Sequence, residues 1–337
     1  MSRVADSVRI GFAGDVMFGR LVNETQQRRP PDAVWGSMRE QLVGLDGLFV
    51  NLECCLSTRG RKWDRTYHPF HFRADPAWAI PALRDADVSW VTLANNHVLD
   101  YGDVALEDTV SALDSAAIPF SGAGRTETEA WDPARVVVGG LDVALVAFTD
   151  NMPEFAVDAD TESPGTAYVG IDPDDEACLE RVGRALERAG EDDPDLLVAS
   201  LHWGPNMREY PPPSFRRFAH WLVDAGVDIL HGHSAHVFQG VEVYNGAVIL
   251  YDTGDFVDDY VVHDGLRNDR SFLFVFEVDT DGRLLELRLV PTEIADFAVH
   301  RAFPSVASWS RETMRARSAS FGTAFETDGD GLRVSLG

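Results

Sequence analysis

An α/β fold is predicted by three features of this 337-residue chain. Short apolar runs rich in β-branched and aromatic residues alternate with longer stretches of helical periodicity. Turn-forming residues separate them, and no repeat, low-complexity block or long linker breaks the alternation. A hydrophobic content of 45% over this length suffices for a sizeable core.

In chain order, Val8–Ala13, Leu48–Asn51, Trp90–Leu93, Val143–Thr149, Leu196–Leu201 and Ile229–His231 read as strands. Between them, Asp32–Leu42, Pro76–Asp85, Asp103–Ala116, Asp174–Ala189 and Pro213–Ala225 read as helices. Several of these start with proline or an acidic residue, which suits the free N–H groups and positive end of a helix N-terminus. Toward the C-terminus, Val241–Val243, Val248–Tyr251, Phe272–Val278 and Leu284–Val290 read as an antiparallel run. Asn245-Gly246 and Asp281-Gly282 supply its hairpin turns. Thr58–Ala74 and Thr149–Thr166 are left as long loops. The expected division is one domain over residues 1–290 and a C-terminal extension over 291–337.

Charge excludes some functions. The chain carries 55 acidic against 29 basic residues, for a formal net charge of −26, and Lys62 is its single lysine. Binding to nucleic acid or an acidic membrane through a general basic field is not expected. Such an acidic excess with almost no lysine points to a salt-rich cytoplasm, where counterions screen self-repulsion. An arginine-preferring genome is the alternative. No run of about 18 apolar residues is present, so no membrane span is expected. Neither is a signal peptide, because Val8–Phe12 is too brief for its apolar region. Cys54, Cys55 and Cys178 have neither disulfide nor zinc-knuckle spacing and read as small core residues in a reducing compartment. One local exception to the acidity is the Thr58–Ala74 loop, with Arg59, Arg61, Lys62, Arg65, His68, His71 and Arg73. It would either grip an anionic substrate or offset nearby carboxylates.

Residues of metal-ligand type recur where the predicted strands end. They are Asp15 after Gly14, Glu53 in Asn51-Leu52-Glu53, Asn96 and His97 in Ala94-Asn95-Asn96-His97, and His202 before Trp203-Gly204. His231, His233 and His236 follow within one six-residue stretch. Strand ends are where ligands gather in open α/β sheets, so five strands would converge on one site. Singly, these residues have plainer readings: a turn at Gly14-Asp15, a helix cap at Glu53, a hydrogen-bonded turn at Asn95-Asn96. Three of the ten histidines in six residues resist a packing explanation. A carboxylate, amide and imidazole set suits Mn²⁺, Fe²⁺ or Zn²⁺ better than Ca²⁺ or Mg²⁺.

The order Gly14-Asp15-Val16-Met17, Asn51-Leu52-Glu53, Asn95-Asn96-His97-Val98-Leu99-Asp100-Tyr101-Gly102, His202-Trp203-Gly204 and Gly232-His233 through His236 resembles the CapA family. That family is named for capsule and poly-γ-glutamate biosynthesis and looks like a branch of the calcineurin-type metallophosphatases. Tyr251–Val257 resembles its final glycine-rich loop. The resemblance implies a sandwich of two mixed sheets flanked by helices and a centre of one or two divalent transition metals. Asp15 and His236 would serve the first metal, Glu53 would bridge, and Asn96, His202 and His233 would serve the second. His97 would sit just outside, acting on the substrate oxygen. Where the phosphatases carry a histidine two residues after the first aspartate, this chain has Met17, as the CapA family does.

Two functions follow as expectations. One is hydrolysis by metal-activated water of a phosphoester or a γ-glutamyl-type amide, with His97 as general acid. Asp100 would hold the His97 tautomer or, equally, cap the next helix. The other is a non-catalytic accessory role in capsular poly-γ-glutamate synthesis, binding polymer or capsule-synthesis proteins. No Gly-x-Gly-x-x-Gly, Walker loop or nucleophile elbow is present, which argues against dehydrogenases, kinases and serine hydrolases.

Overall fold

A computed structural model describes residues 7–157 and 163–337. Residues 1–6, with the N-terminal stretch read above, and residues 158–162, within the expected Thr149–Thr166 loop, lie outside the described residues.

Sixteen strands form two large sheets. In chain order these are β1 (Val8–Val16), β2 (Gly47–Leu52), β3 (Val88–Thr92), β4 (Phe120–Ser121), β5 (Ala134–Val138), β6 (Leu141–Thr149), β7 (Leu196–His202) and β8 (Ile229–His233). They continue with β9 (Val241–Tyr244), β10 (Ala247–Leu250), β11 (Asp255–Val257), β12 (Arg270–Val278), β13 (Leu284–Ala295), β14 (Ala298–Arg301), β15 (Glu326–Asp328) and β16 (Gly331–Ser335). The ten-stranded sheet has the order β15-β16-β13-β12-β1-β2-β3-β4, with β11 on β1 and β14 on β13. The six-stranded sheet has the order β9-β10-β8-β7-β6-β5. Both are mixed: β1, β2, β3 and β4 run parallel, as do β6, β7, β8 and β10, with antiparallel strands at the flanks.

The sheets stack face to face, as the sandwich expectation requires. Between them lies an apolar layer of Ile10, Phe12, Phe49, Trp90, Phe274 and Phe276 from one side and Val143, Leu145, Val198, Ile229 and Val248 from the other. Phe12 is its pivot, edge-on to Phe49 at 5.2 Å and to Phe276 at 5.4 Å. Truncating a ring buried in this way costs about 3–5 kcal/mol.

Helices cover both outer faces. On the larger sheet these are α1 (Arg20–Gln26), α2 (Arg39–Leu42), α3 (Pro76–Asp85) and α4 (Asp103–Ala116). On the smaller sheet they are α5 (Glu127–Trp131), α6 (Glu176–Ala189) and α7 (Pro213–Asp224). Their starts follow the expected chemistry: Asp75 accepts a hydrogen bond from Ala77 N at 2.8 Å, and Asp175 from Ala177 N at 3.0 Å. One expected helix is broken. Asp32–Leu42 is a 3₁₀ stretch, Pro31–Met38, followed by the single turn α2. Gly36 interrupts it at φ +44°, and a Cβ there would fall 2.5 Å from Val299 O. The Asn245-Gly246 hairpin forms as expected, joining β9 to β10 with both residues at positive φ.

Residue 290 lies inside β13, which runs unbroken to Ala295. Beyond it, β16 pairs with β13, and α8 (Pro304–Ser318) sends Met314 into the layer between the sheets. Residues 291–337 therefore extend the larger sheet. Among the described residues, no helix is long and apolar enough to cross a membrane. Cys54, Cys55 and Cys178 are free and buried.

Candidate metal centre

Parallel pairing places the C-terminal ends of β1, β2 and β3 on one edge of the larger sheet. Those of β6, β7 and β8 share one edge of the smaller sheet. A hydrogen-bond contact from His231 Nε2 to Ala13 O, 3.0 Å, ties the two edges together. Register then sets the neighbours: Asp15 stands beside Asn51 and Asp255, and His202 beside His233. Gly14 lets β1 approach the loop before β11, for a Cβ there would lie 1.8 Å from Gly254 O.

Within this cleft the structure brings together Asp15, Glu53, His202, His233 and His236, all essentially buried. Ligand atoms of Asp15, His202 and His233 lie within 4.8 Å of one another, and so do those of Asp15, Glu53 and His236. Asp15 belongs to both groups. Its Oδ1 is 3.8 Å from His233 Nδ1, and its Oδ2 is 3.2 Å from His236 Nδ1. Glu53 Oε1 stands 3.8 Å from both His202 Nε2 and His97 Nε2. Asp15 is thus the carboxylate common to both groups, and Glu53 faces two imidazoles with one oxygen.

The donors suit a cation. Glu53 Oε1 and Asn96 Oδ1 are buried without any hydrogen-bond partner, a costly arrangement unless something positive meets them. Asn96 directs its amide Nδ2 to His97 Nε2 at 3.2 Å, which leaves Oδ1 as its ligand atom. Protonation states follow from burial and charge. Burial lowers His202 to about 3 and takes His233 well below the ordinary 6.5, which favours the neutral imidazole that metal ligation needs. Burial would raise Asp15, yet hydrogen bonding from His236 and the charges of His236, His233 and His202 bring it below the usual carboxylate range. Burial, together with the Asp15 charge, pushes Glu53 well above its ordinary value. A neighbouring cation reverses that balance by favouring the carboxylate. For His236, burial works downward, but Asp255, Tyr260 and Asp15 raise it well above 6.5.

His97 lies beside these groups, its Nδ1 2.7 Å from Asp100 Oδ2. Burial lowers its pKa, against the pull of Asp100. Asp100 accepts this contact rather than capping α4, whose N-cap residue is Gly102. Met17 is fully buried in the apolar layer under the helices and takes no part. Asp255 stands on that side instead, with Oδ1 2.8 Å from His236 Nδ1 and Oδ2 buried without a partner. His231 bonds Ser200 and Ala13 O, His220 stacks on Tyr244 at 3.8 Å, and Trp203 donates to Tyr251 O. None of these three is in a candidate ligand group among the described residues.

Two residues in the cleft carry parts that residue type alone did not signal. Asn51 Nδ2 donates to Asp15 Oδ1 at 2.7 Å and to Glu53 Oε2 at 3.2 Å, and it lies 3.4 Å from His202 Nδ1. The sign was its place in Asn51-Leu52-Glu53, two residues before Glu53 and therefore on the same face of the chain. The second, His68, comes from the basic loop and reaches Asp100. The rest of that loop divides: Arg59 pairs with Asp108, and Arg73 lies over the Tyr101 ring at 3.9 Å. Arg61, Lys62 and Arg65 have no carboxylate within ion-pair distance among the described residues.

The chain is similar to several known proteins. A probable polyglutamine synthesis accessory protein of Mycobacterium tuberculosis is 33% identical over 97% of this chain and 95% of its own length. The capsule biosynthesis protein CapA of Bacillus anthracis is 30% identical over 87% of this chain and 69% of its own. A purple acid phosphatase from yellow lupin seeds covers 88% of this chain and 53% of its own, at 10% identity and a TM-score of 0.39, too distant to inform the chemistry. The profile of the family described as "Bacterial capsule synthesis protein PGA_cap" matches residues 9–260, from β1 to the loop after β11. With the site lying wholly inside that match, the chain belongs to the bacterial capsule synthesis protein PGA_cap family.

Proposed function

We propose that this protein is a metal-dependent hydrolase of capsular poly-γ-glutamate synthesis, acting on a phosphoester or a γ-glutamyl-type amide. The observation that carries the reading is the pair of partnerless buried oxygens, Glu53 Oε1 and Asn96 Oδ1, set among neutral imidazoles and Asp15. Asp15, Glu53 and His236 would hold one ion, with the Asp255 carboxylate in place of the imidazole that Met17 does not supply. Asn96, His202 and His233 would hold a second. When bound, divalent Mn, Fe or Zn supplies Lewis acidity toward a phosphoryl or carbonyl oxygen and toward water. The chain's own residues do the rest. Burial excludes bulk water from the carboxylates, Asn51 holds Asp15 and Glu53 in place, and His97 handles the proton of the substrate oxygen.

A second reading draws on the Mycobacterium tuberculosis relative, whose name describes an accessory protein. Here the same cleft would bind polymer or a capsule-synthesis partner without turnover. Elemental analysis of the wild type, His233→Ala and Asp15→Ala, followed by assays on phosphoesters and γ-glutamyl amides, separates the two. One or two equivalents of Mn, Fe or Zn, reduced in His233→Ala and accompanied by turnover that His97→Ala abolishes, is the expected result. Metal without turnover favours the accessory role. A wild type that takes up no metal after reconstitution overturns the hydrolase.

A further inference from the structure

Asp100 has more partners than a simple orienting carboxylate needs. It is fully buried, and both of its oxygens are engaged. Oδ2 takes His97 Nδ1 at 2.7 Å and the Phe72 N–H at 2.5 Å, while Oδ1 takes His68 Nε2 at 2.5 Å. The His68 side chain is 5% exposed, so this contact is shielded from water. The ring is wedged between His71 at 5.0 Å, His97 at 5.3 Å and Phe155 at 5.7 Å. Phe155 also packs edge-on against Trp63, at 4.8 Å, and so joins a second loop to the first.

We infer that His68 is a positioning residue, the outer member of a His68–Asp100–His97 relay that fixes the tautomer and aim of His97. The inference rests on His97 as the proton-handling group. An ionised carboxylate only accepts, so the ring nitrogens facing Asp100 each carry a proton. His97 is therefore the Nδ1–H tautomer, and its Nε2 lone pair points at the cleft, where Asn96 Nδ2 meets it. Removing His68 frees Oδ1. Asp100 can then rotate or recruit water, and His97 loses the fixed carboxylate that selects one tautomer. Because His68 belongs to the loop carrying Arg61, Lys62 and Arg65, whatever reseats that loop also reseats the proton-handling ring.

The test uses the full chain labelled with ¹⁵N, freed of metal by chelation, and read by imidazole NMR at neutral pH, with His97→Gln assigning the signals. In the wild type, His97 shows the Nδ1–H form with its ring proton in slow exchange with water. In His68→Ala that slow-exchanging signal is lost and the two tautomers mix. His68→Gln, whose amide still donates to Asp100, restores it. After zinc loading, His68→Ala retains its metal but loses about 10- to 100-fold in kcat at unchanged KM. The opposite His97 tautomer in the wild type, which needs no variant to fold, overturns the inference. So does an unchanged His97 signal in folded His68→Ala, or an extra equivalent of zinc that disappears in His68→Gln and marks a ligand set. Failure of the hydrolase reading looks different: the relay signals persist while no turnover is found.

Discussion

Asn51 does two jobs with one amide. Its Nδ2 neutralises part of the repulsion between Asp15 and Glu53, and its Oδ1 accepts from Asn95 Nδ2 at 3.0 Å. Asn51→Leu would leave two buried carboxylates without that donor, a loss of about 2–4 kcal/mol in the metal-free chain. A bound cation supplies the missing positive charge, so the penalty should shrink with metal. Thermal melts in chelator and in excess zinc check this, and an equal penalty in both would contradict it. Far from the cleft, Asp228 offers a cleaner pH effect. Burial raises its pKa above the ordinary 3.8 although the Leu197 N–H donates to it at 2.8 Å. A folded value above the unfolded one means that its stabilising contribution is complete below about 3.8 and is lost as pH rises through the folded value. Asp228→Asn keeps the acceptor and removes the charge. Its melting point should match the wild type in acid and exceed it at neutral pH. The ligand-type residues of the cleft were legible because each stands at a strand end. Asn51 and His68 were less so, because an amide inside a strand and a histidine in a basic loop each have commoner explanations.

At the scale of elements, runs such as Val143–Thr149 and Leu196–Leu201 declared themselves through continuous apolar β-formers. The helix α8 did not. Its sequence, Pro304–Ser318, is rich in serine and arginine, and part of its anchoring is polar. Arg317 is 2% exposed, donates to Phe238 O and to Glu209 Oε1, and lies over the Phe238 ring at 4.7 Å. Ser318 Oγ accepts from Val241 N at 3.0 Å. Hydrophobic periodicity is blind to such a helix, so no element is expected between residues 291 and 337. Its contacts flank the loop that carries His236. Arg317→Met would leave Phe238 O without its guanidinium partner at a cost of about 2 kcal/mol. Hydrogen exchange should then accelerate over residues 237–240 while the inter-sheet strands stay protected. Uniform acceleration would show that α8 supports the whole sandwich instead.

For the whole molecule the dominant quantity is the net charge of −26. Self-repulsion on this scale opposes compactness and is relieved by salt, whose screening length falls from about 10 Å at 0.1 M to about 3 Å at 1 M. The same net charge opposes the approach of an anionic polymer, and the loop carrying Arg61, Lys62 and Arg65 relieves it locally. Salt should therefore raise both stability and the rate at which a polyanion associates, the reverse of its effect on a basic binding protein. Melting midpoints in KCl from about 0.05 M to about 3 M test the first half, because screening alone saturates near 1 M. A midpoint still climbing beyond that concentration supports adaptation to a salt-rich interior. A plateau already reached at about 0.1 M would mean that the acidic surface is spaced widely enough to need no such environment. Stopped-flow binding of labelled poly-γ-glutamate tests the second half. An association rate that falls with salt would show that the basic loop, not the net charge, governs the approach of the polymer to the cleft.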